Sequence, residues 1–320
     1  MADNGAEGPK DRGLSDDPDD GDLTGTISWA ELGIEVSQAL ARAGIEGAER
    51  QGRLIVMRAC GATTSEWPSM SAELATRRGV AAIDAMTARR AVGEPLQYVL
   101  GQWSFRHLEL LVDQRVLIPR PETEIVAGLA LDELQRLAPD NQPVLAADLG
   151  TGSGAIGLAL LTEHPGSEIW LTDISPGALA VARANLAGIG RAGARARVAQ
   201  GFWFEALPDE LRGRFGVIVA NPPYVGQAET LPPEVADWEP QSALIGGPTG
   251  TEHVELLIDA APGWLEPEGA MVIEMSPPQT EAMATRATRH FAEVAIEVDL
   301  TGRQRTLVAR RPRDPNRARN

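Results

Sequence analysis

The apolar positions change rhythm along the chain, and the changes divide it. From Ile27 to about Gly93 they recur at the spacing of a helix face; from Pro143 onward they gather into short runs separated by helical stretches; before Thr26 large apolar residues are nearly absent. In the first of these regions Ser28 is placed to cap a helix from Trp29 to Ala43 that Gly44 ends. A second helix is expected from Ala48 to Cys60 with Gly61 as its stop, and a third from Gly79 to Val92 after a loop holding Trp67-Pro68. Helices of this kind form a small bundle, a companion to a catalytic domain, expected over residues 27–95.

Residues 96–122 read as a β-hairpin linker, because Tyr98-Val-Leu-Gly-Gln-Trp-Ser-Phe105 and Leu108-Glu-Leu-Leu-Val-Asp113 are two strand-like runs. The turn Ile118-Pro-Arg-Pro-Glu-Thr-Glu124 then opens a helix from Thr123 to about Leu137. Beyond Pro143 strands are expected at Val144 to Asp148, Glu168 to Asp173, Ala194 to Gln200, Phe215 to Ala220, Ala270 to Glu274, Val294 to Leu300 and Arg305 to Ala309. Helices alternate with them at Ala155 to Thr162, Pro176 to Ala187, His253 to Ala261 and Gln279 to Phe291. Such alternation means an α/β domain, here 123–311, whose mostly parallel sheet is covered on both faces. Only Thr301-Gly302-Arg303-Gln304 separates the last two strands, so they should pair antiparallel.

Composition narrows the picture at both ends. The formal net charge is −16 over 320 residues, and phosphate contacts favour the opposite sign, so no direct binding of duplex nucleic acid is expected. Residues 1–26 hold eight of the acids against Lys10 and Arg12 and are expected to be a disordered acidic tail. The arginine-rich end, residues 312–320 and the neighbouring Arg310 and Arg311, is expected to be a solvated basic tail. No apolar stretch approaches the roughly 20 residues that span a bilayer, and the acidic start is unlike a signal peptide. A cytoplasmic protein without a membrane partner is the expectation.

Residue scarcity removes whole chemistries. Cys60 is the single cysteine, so there is no intrachain disulfide and no cysteine-cluster metal site; a buried small apolar role is expected for it. Four scattered histidines, His107 among them, suggest solvated or core positions and no metal site. Lys10 is the sole lysine and lies in the tail, which excludes a P-loop lysine and a Schiff-base lysine from the folded region.

Two segments carry the candidate chemistry. Asp148-Leu-Gly150-Thr151-Gly152-Ser153-Gly154-Ala-Ile-Gly157 joins the first strand of the α/β domain to its helix, where glycines let a ligand approach the backbone. Gly152-Ser-Gly154-Ala-Ile-Gly157 also matches the dinucleotide fingerprint, with Asp173 near the spacing of a ribose-binding acid, so on these residues alone an NAD-binding oxidoreductase competes with an S-adenosylmethionine enzyme. Asp148 favours the latter, since its carboxylate suits a ligand bearing a sulfonium and an ammonium and would repel pyrophosphate. The antiparallel last strand points the same way. Asp173 would then hold the ribose hydroxyls, and Trp203 either packs on the adenine or serves as ordinary core.

Asn221-Pro222-Pro223-Tyr224 follows the strand Phe215 to Ala220 directly, at the sheet end where open α/β folds bind ligands. An amide or aniline-type nitrogen is a poor nucleophile because its lone pair is delocalised. The Asn221 side-chain oxygen and the Pro222 carbonyl can each accept one of its N–H groups, with Tyr224 over the planar face and the prolines fixing φ near about −65°. This points to N-methylation of a planar amine or amide, with no metal needed.

Together these residues resemble the PrmC/HemK family, the glutamine N5-methyltransferases that modify peptide chain release factors. The resemblance spans roughly Leu40 to Arg310 and rests on Gly93-Glu-Pro-Leu-Gln-Tyr-Val-Leu-Gly101, Leu117-Ile-Pro-Arg-Pro-Glu-Thr-Glu124, Asp148 to Gly154, Asn221 to Tyr224, Glu239-Pro-Gln-Ser-Ala-Leu244 and Asp299-Leu-Thr-Gly-Arg-Gln-Arg305. It implies a class I (Rossmann-like) S-adenosylmethionine-dependent methyltransferase domain, and an N-terminal helical domain that docks class I release factors. The substrate it implies is the glutamine of their Gly-Gly-Gln motif. Asp148, Gly150, Thr151, Gly152, Ser153, Gly154, Asp173, Trp203 and Asn221 would bind cofactor, and Asn221 to Tyr224 the glutamine. Phe202 stands where the family usually has an acidic residue, and Glu274-Met-Ser-Pro-Pro-Gln279 replaces the usual Glu-Ile-Gly turn. Alternatives at this point are an N-methyltransferase of rRNA, DNA or a ribosomal-protein glutamine, and a non-catalytic binding module.

Overall fold

Trp29, Leu32, Val36 and Leu40 fall on one face of a helix, and burial of that face organises the first part of the chain. In the computed structural model, which describes residues 24–313, the chain divides into two units after Gly93. The first unit runs β1 (Thr24–Ser28), α1 (Trp29–Arg42), α2 (Ala48–Cys60), α3 (Trp67–Met70), β2 (Leu74–Thr76) and α4 (Arg77–Ala91). Ser28 caps α1 as expected: its Oγ accepts from the Glu31 amide while the Glu31 carboxylate accepts from the Ser28 amide, so orphan N–H groups at the helix start are satisfied reciprocally. Ile55, Val56 and Ile83 bury against the α1 face.

Three expectations need correction in this unit. It is not purely helical, because β1 pairs antiparallel with β2. Thr24, Gly25 and Thr26 therefore belong to a strand and not to the acidic tail, whose residues 1–23 lie outside the described residues. The pairing partner is some fifty residues away in sequence, which local pattern does not reveal. Cys60 is half-buried at the end of α2 rather than fully buried.

The second unit opens with α5 (Leu96–Leu100), β3 (Gln102–Phe105), β4 (Leu108–Leu111) and α6 (Pro121–Leu137). Tyr98-Val99-Leu100 is thus helical and not strand, and the hairpin begins after Gly101, whose positive φ of 70° stops the helix. The expected linker is also no linker: Phe105 and Leu110 are buried in the same apolar cluster as Val126, Leu134 and Leu158, and the Asn185 side chain pairs with both backbone groups of Leu111. The helix after it starts two residues before Thr123, with Pro121 at the first helical position where a missing N–H costs nothing.

The remaining elements are β5 (Val144–Leu149), α7 (Ala155–Glu163), β6 (Ser167–Asp173), α8 (Pro176–Gly188), β7 (Ala196–Gln200), β8 (Phe215–Ala220), β9 (Val225–Gly226), α9 (Pro233–Ala236), β10 (Ile245–Gly247), α10 (Glu252–Ala260), β11 (Leu265–Glu274), α11 (Thr280–Ala287), β12 (Phe291–Val298) and β13 (Gln304–Pro312). Seven strands form one sheet in the order β12-β13-β11-β8-β5-β6-β7, parallel except for β13, which lies antiparallel between β11 and β12. Alternate side chains enter opposite layers: Ile218 and Ala220 of β8 face the cluster with Trp264 and Phe291, while Val217 and Val219 face the cluster with α6 and α7. All six residues of β8 are buried, which explains its unbroken apolar run.

β13 also corrects the far end. It continues through Pro312, and Arg310 and Arg311 are ion-paired rather than part of a tail. Glu133 on α6 is buried and has to be compensated, and Arg310 reaches it at 2.6 Å alongside Arg136. Residues 314–320 lie outside the described residues. Among the described residues no helix is long and apolar enough to cross a membrane.

Candidate active site

The carboxyl ends of β5, β6 and β8 converge on one cavity of about 320 Å³. Its wall includes Asp148, Gly150, Thr151, Gly152, Ser153, Asp173, Trp203 and Asn221, which brings together residues far apart in sequence. Of the residues singled out from sequence, Gly154 caps α7 behind this wall, Pro223 lines it, and Pro222 and Tyr224 stand outside it.

At one end the glycine loop is held by two carboxylates. Oδ2 of Asp148 accepts from the Thr151 hydroxyl at 2.5 Å and from the Gly157 amide at 2.9 Å. Asp173 accepts from the Gly152 amide through Oδ2 at 2.9 Å and from the Ser175 amide through Oδ1 at 2.8 Å. Burial pushes the Asp148 carboxyl up to about 6, and burial likewise raises Asp173. A cationic ligand beside Asp148 restores its charge, and Asp173 retains lone pairs for hydroxyl donors, so the donor set fits S-adenosylmethionine. Two glycines are dictated by contact. Gly157 lets α7 sit close enough for its amide to reach Asp148, since a Cβ there would lie 2.1 Å from Leu171. Gly150 has φ of 73°, and its Cβ would lie 2.9 Å from the Trp203 ring.

Trp203 itself has a positive φ of 48°, rare for a bulky residue, and this turn lays its indole beneath Gly150. It is 8% exposed and belongs to the core cluster while also lining the cavity. Its Nε1–H donates to Nδ1 of His253 at 3.2 Å, and the two rings meet nearly edge-on at 5.4 Å. Burial lowers the His253 pKa, which keeps the ring neutral and able to accept. Phe202 packs 5.8 Å from both rings. His253 is not legible in the sequence as a site residue, because it sits in the first turn of α10, fifty positions downstream, with no motif around it.

At the other end Asn221 is fixed by a chain of side chains. Its Nδ2 donates to Oγ1 of Thr123 at 3.1 Å, and the Thr123 hydroxyl donates to Oε2 of Glu274 at 2.8 Å. Tyr224 donates through its hydroxyl to Oε1 of the same carboxylate at 3.2 Å, and Gln279 donates to the Tyr224 carbonyl at 2.9 Å. Glu274 is 1% exposed at the end of β11, and burial raises its pKa. A carboxylate closing an otherwise apolar strand is the one signal in the sequence that could have marked it. His107, by contrast, is exposed.

A further clip borders the cavity. Buried Glu239 accepts from the Ile118 amide at 3.1 Å and pairs with Arg120, and Tyr98 donates to the Val116 carbonyl at 2.5 Å. Val116, Leu117, Pro119 and Pro240 all line the cavity. Two stretches quoted as family motifs thus meet as one piece of wall.

A parallel sheet with β13 inserted antiparallel, and a glycine loop braced by strand-end acids, define the class I (Rossmann-like) S-adenosylmethionine-dependent methyltransferase fold. Residues 31–101 match the family model of the PrmC N-terminal domain, and residues 129–236 that of the methyltransferase small domain. The chain is 37% identical over 289 residues to the release factor glutamine methyltransferase of Bifidobacterium longum, covering 86% of this chain and 97% of that protein. The protein of the same name from Synechocystis is 41% identical over 228 residues, with 69% and 76% covered, and that from Geobacter sulfurreducens 36% over 280, with 85% and 92% covered. This chain belongs to the release factor glutamine methyltransferase family.

Proposed function

We propose that this protein methylates, in the cytoplasm, the side-chain nitrogen of the glutamine in the Gly-Gly-Gln motif of class I peptide chain release factors, with S-adenosylmethionine as methyl donor. The observation that carries the reading is the shared cavity: Asn221 opens onto the same space as Asp148, Asp173 and the glycine loop. Family membership and the names of the relatives support the substrate. The helical unit, residues 27–93, is the part proposed to dock the release factor, supported by the PrmC N-terminal match over 31–101.

Asp148 would hold the ligand's cationic part and Asp173 its hydroxyl-bearing part, with Gly150 of the loop leaving room for a ligand beside the backbone. When bound, S-adenosylmethionine supplies an electrophilic methyl group on a positively charged sulfur. The acceptor amide is held by Asn221 Oδ1 and the Pro222 carbonyl, each taking one N–H, which turns the nitrogen lone pair toward the cavity. As positive charge grows on that nitrogen, both acceptors bind its hydrogens more strongly, which stabilises the transition state over the ground state, and one of those hydrogens leaves as a proton to solvent or to a backbone acceptor once the methyl is transferred. Tyr224, its hydroxyl tied to Glu274, is the residue that would cover the planar face of the acceptor.

Mass spectrometry of a release factor incubated with the protein and S-adenosylmethionine tests the reading. A single added methyl on the Gly-Gly-Gln glutamine is expected. Label transferred instead to ribosomal RNA, DNA or a ribosomal protein, with the release factor unmodified, would overturn it.

A further inference from the structure

The hydrogen-bond chain at Asn221 has a direction, and that direction matters for an acceptor amide. An amide side chain offers an oxygen on one side and an NH2 group on the other, and only the oxygen can receive the N–H of a glutamine. Rotation by half a turn exchanges the two. Backbone position alone does not choose between them, so something in the side-chain surroundings has to.

We infer that Glu274 is a positioning residue that sets this choice, acting on Asn221 through Thr123; the inference rests on the glutamine reading above. Both carboxylate oxygens of Glu274 act as acceptors, Oε2 toward the Thr123 hydroxyl and Oε1 toward the Tyr224 hydroxyl. Glu274 therefore draws the Thr123 hydroxyl hydrogen to itself at 2.8 Å, which leaves Thr123 Oγ1 able only to accept from Asn221. It takes Asn221 Nδ2 at 3.1 Å, and Oδ1 is left to the acceptor side. The second carboxylate oxygen takes the Tyr224 hydroxyl at 3.2 Å, so the same acid also pins the ring of the motif's last residue. Both Glu274 and Thr123 are buried, at 1% and 4% exposure, so water does not readily replace either link. Charge of opposite sign stands near: Arg305 acts on Glu274 from β13, while Glu122 opposes it from α6.

The test uses a reversal that a merely structural role does not reproduce. In Glu274→Met the Thr123 hydroxyl loses its acceptor and turns its proton to Asn221, whose amide rotates and presents NH2 to the glutamine. In Asn221→Asp two carboxylates compete for the one Thr123 proton. In the double variant the carboxylate that replaces the Asn221 amide receives that proton with one oxygen and offers the other to the glutamine, and the local charge equals that of the natural protein. Expected are kcat values about a hundredfold down in each single variant, at least tenfold recovery in the double over Glu274→Met, and, in the double variant with its natural local charge, an unchanged S-adenosylmethionine Kd by calorimetry. A Gly-Gly-Gln peptide should bind the two single variants about tenfold more weakly and the double variant more nearly normally. Wild-type kcat in Glu274→Met, or a double variant no better than it, overturns the inference. If Glu274→Met does not fold, Thr123→Ser and Thr123→Val decide: Ser is expected within about threefold of wild type and Val about a hundredfold down, and a fully active Val variant overturns it. A wild-type protein that methylates no glutamine would instead defeat the functional reading.

Discussion

The two ends of the cavity are built by different means. At the glycine-loop end, acids accept from loop amides and a loop hydroxyl close by: Asp148 from Thr151 and Gly157, Asp173 from Ser175 and, across one βα unit, from Gly152. At the Asn221 end, side chains bond to side chains across the whole domain, with Thr123 and Glu274 separated by 151 positions and Asn221 and Thr123 by 98. Backbone amides have little freedom once the strand and helix are in place, so the first end is set by local geometry. Rotatable side chains set the second, so its function depends on which atom donates. One end forms a cradle, and the other has a polarity.

That contrast predicts separable failures. The largest effect is expected for Asn221→Ala, which removes an acceptor matched to developing charge and should lower kcat about 100- to 1,000-fold while leaving S-adenosylmethionine affinity intact by calorimetry. A parallel loss of cofactor affinity would mean that the two ends are not independent. Gly150→Ala should do the reverse: with φ of 73° and a Cβ 2.9 Å from Trp203, the substitution is strained by about 1–3 kcal/mol, and cofactor Kd should rise about 10- to 100-fold with peptide binding unchanged.

A third effect depends on pH. Burial favours the neutral form of Asp148 and raises its pKa to about 6, whereas a cationic ligand favours the charged form. Binding below pH 6 must therefore expel a proton, and S-adenosylmethionine affinity should fall as pH drops, by up to about tenfold per unit. Asp148→Asn should bind more weakly above pH 6 and with a shallower pH dependence, measured by calorimetry across pH 5 to 8. The same raised pKa makes the carboxylate a cost to folding above the unfolded value, so the ligand-free Asn variant is expected to be no less stable at neutral pH. The smallest effect is for Trp203→Phe, which keeps the ring but drops the Nε1–H donor to His253. A loss of about 0.5–1.5 kcal/mol in thermal unfolding and a kcat within a few-fold of wild type are expected. A collapse of kcat in that variant would place Trp203 at the acceptor end.

Legibility in the sequence follows the same division. The caps of α1 and α2, the alternation of strands and helices, and the antiparallel last pair all rest on neighbours within a few residues, and they stand as expected. The misread stretches depend on distant partners: β1 on β2, α5 and the hairpin on α6 and α8, and Arg310 on Glu133. In each case a local pattern compatible with two outcomes was decided by burial against an element elsewhere in the chain. The candidate site divides likewise. Asp148, the glycines and Asp173 announce themselves by spacing along one βα unit, whereas Thr123 and His253 line the cavity, and Glu239 and Glu274 bond to segments around it, from four separate elements or loops.

The sequence by itself determined the α/β class, the strand-end placement of Asp148 and Asn221, and the family to which the chain belongs, because each depends on local periodicity or contiguous motifs. Only the tertiary structure decided that the expected linker is part of the catalytic unit, that Trp203 both packs and lines the cavity, and that the Asn221 amide donates to Thr123. Donor direction passes through hydrogen bonds between residues about a hundred positions apart, and no local pattern records which of them become neighbours.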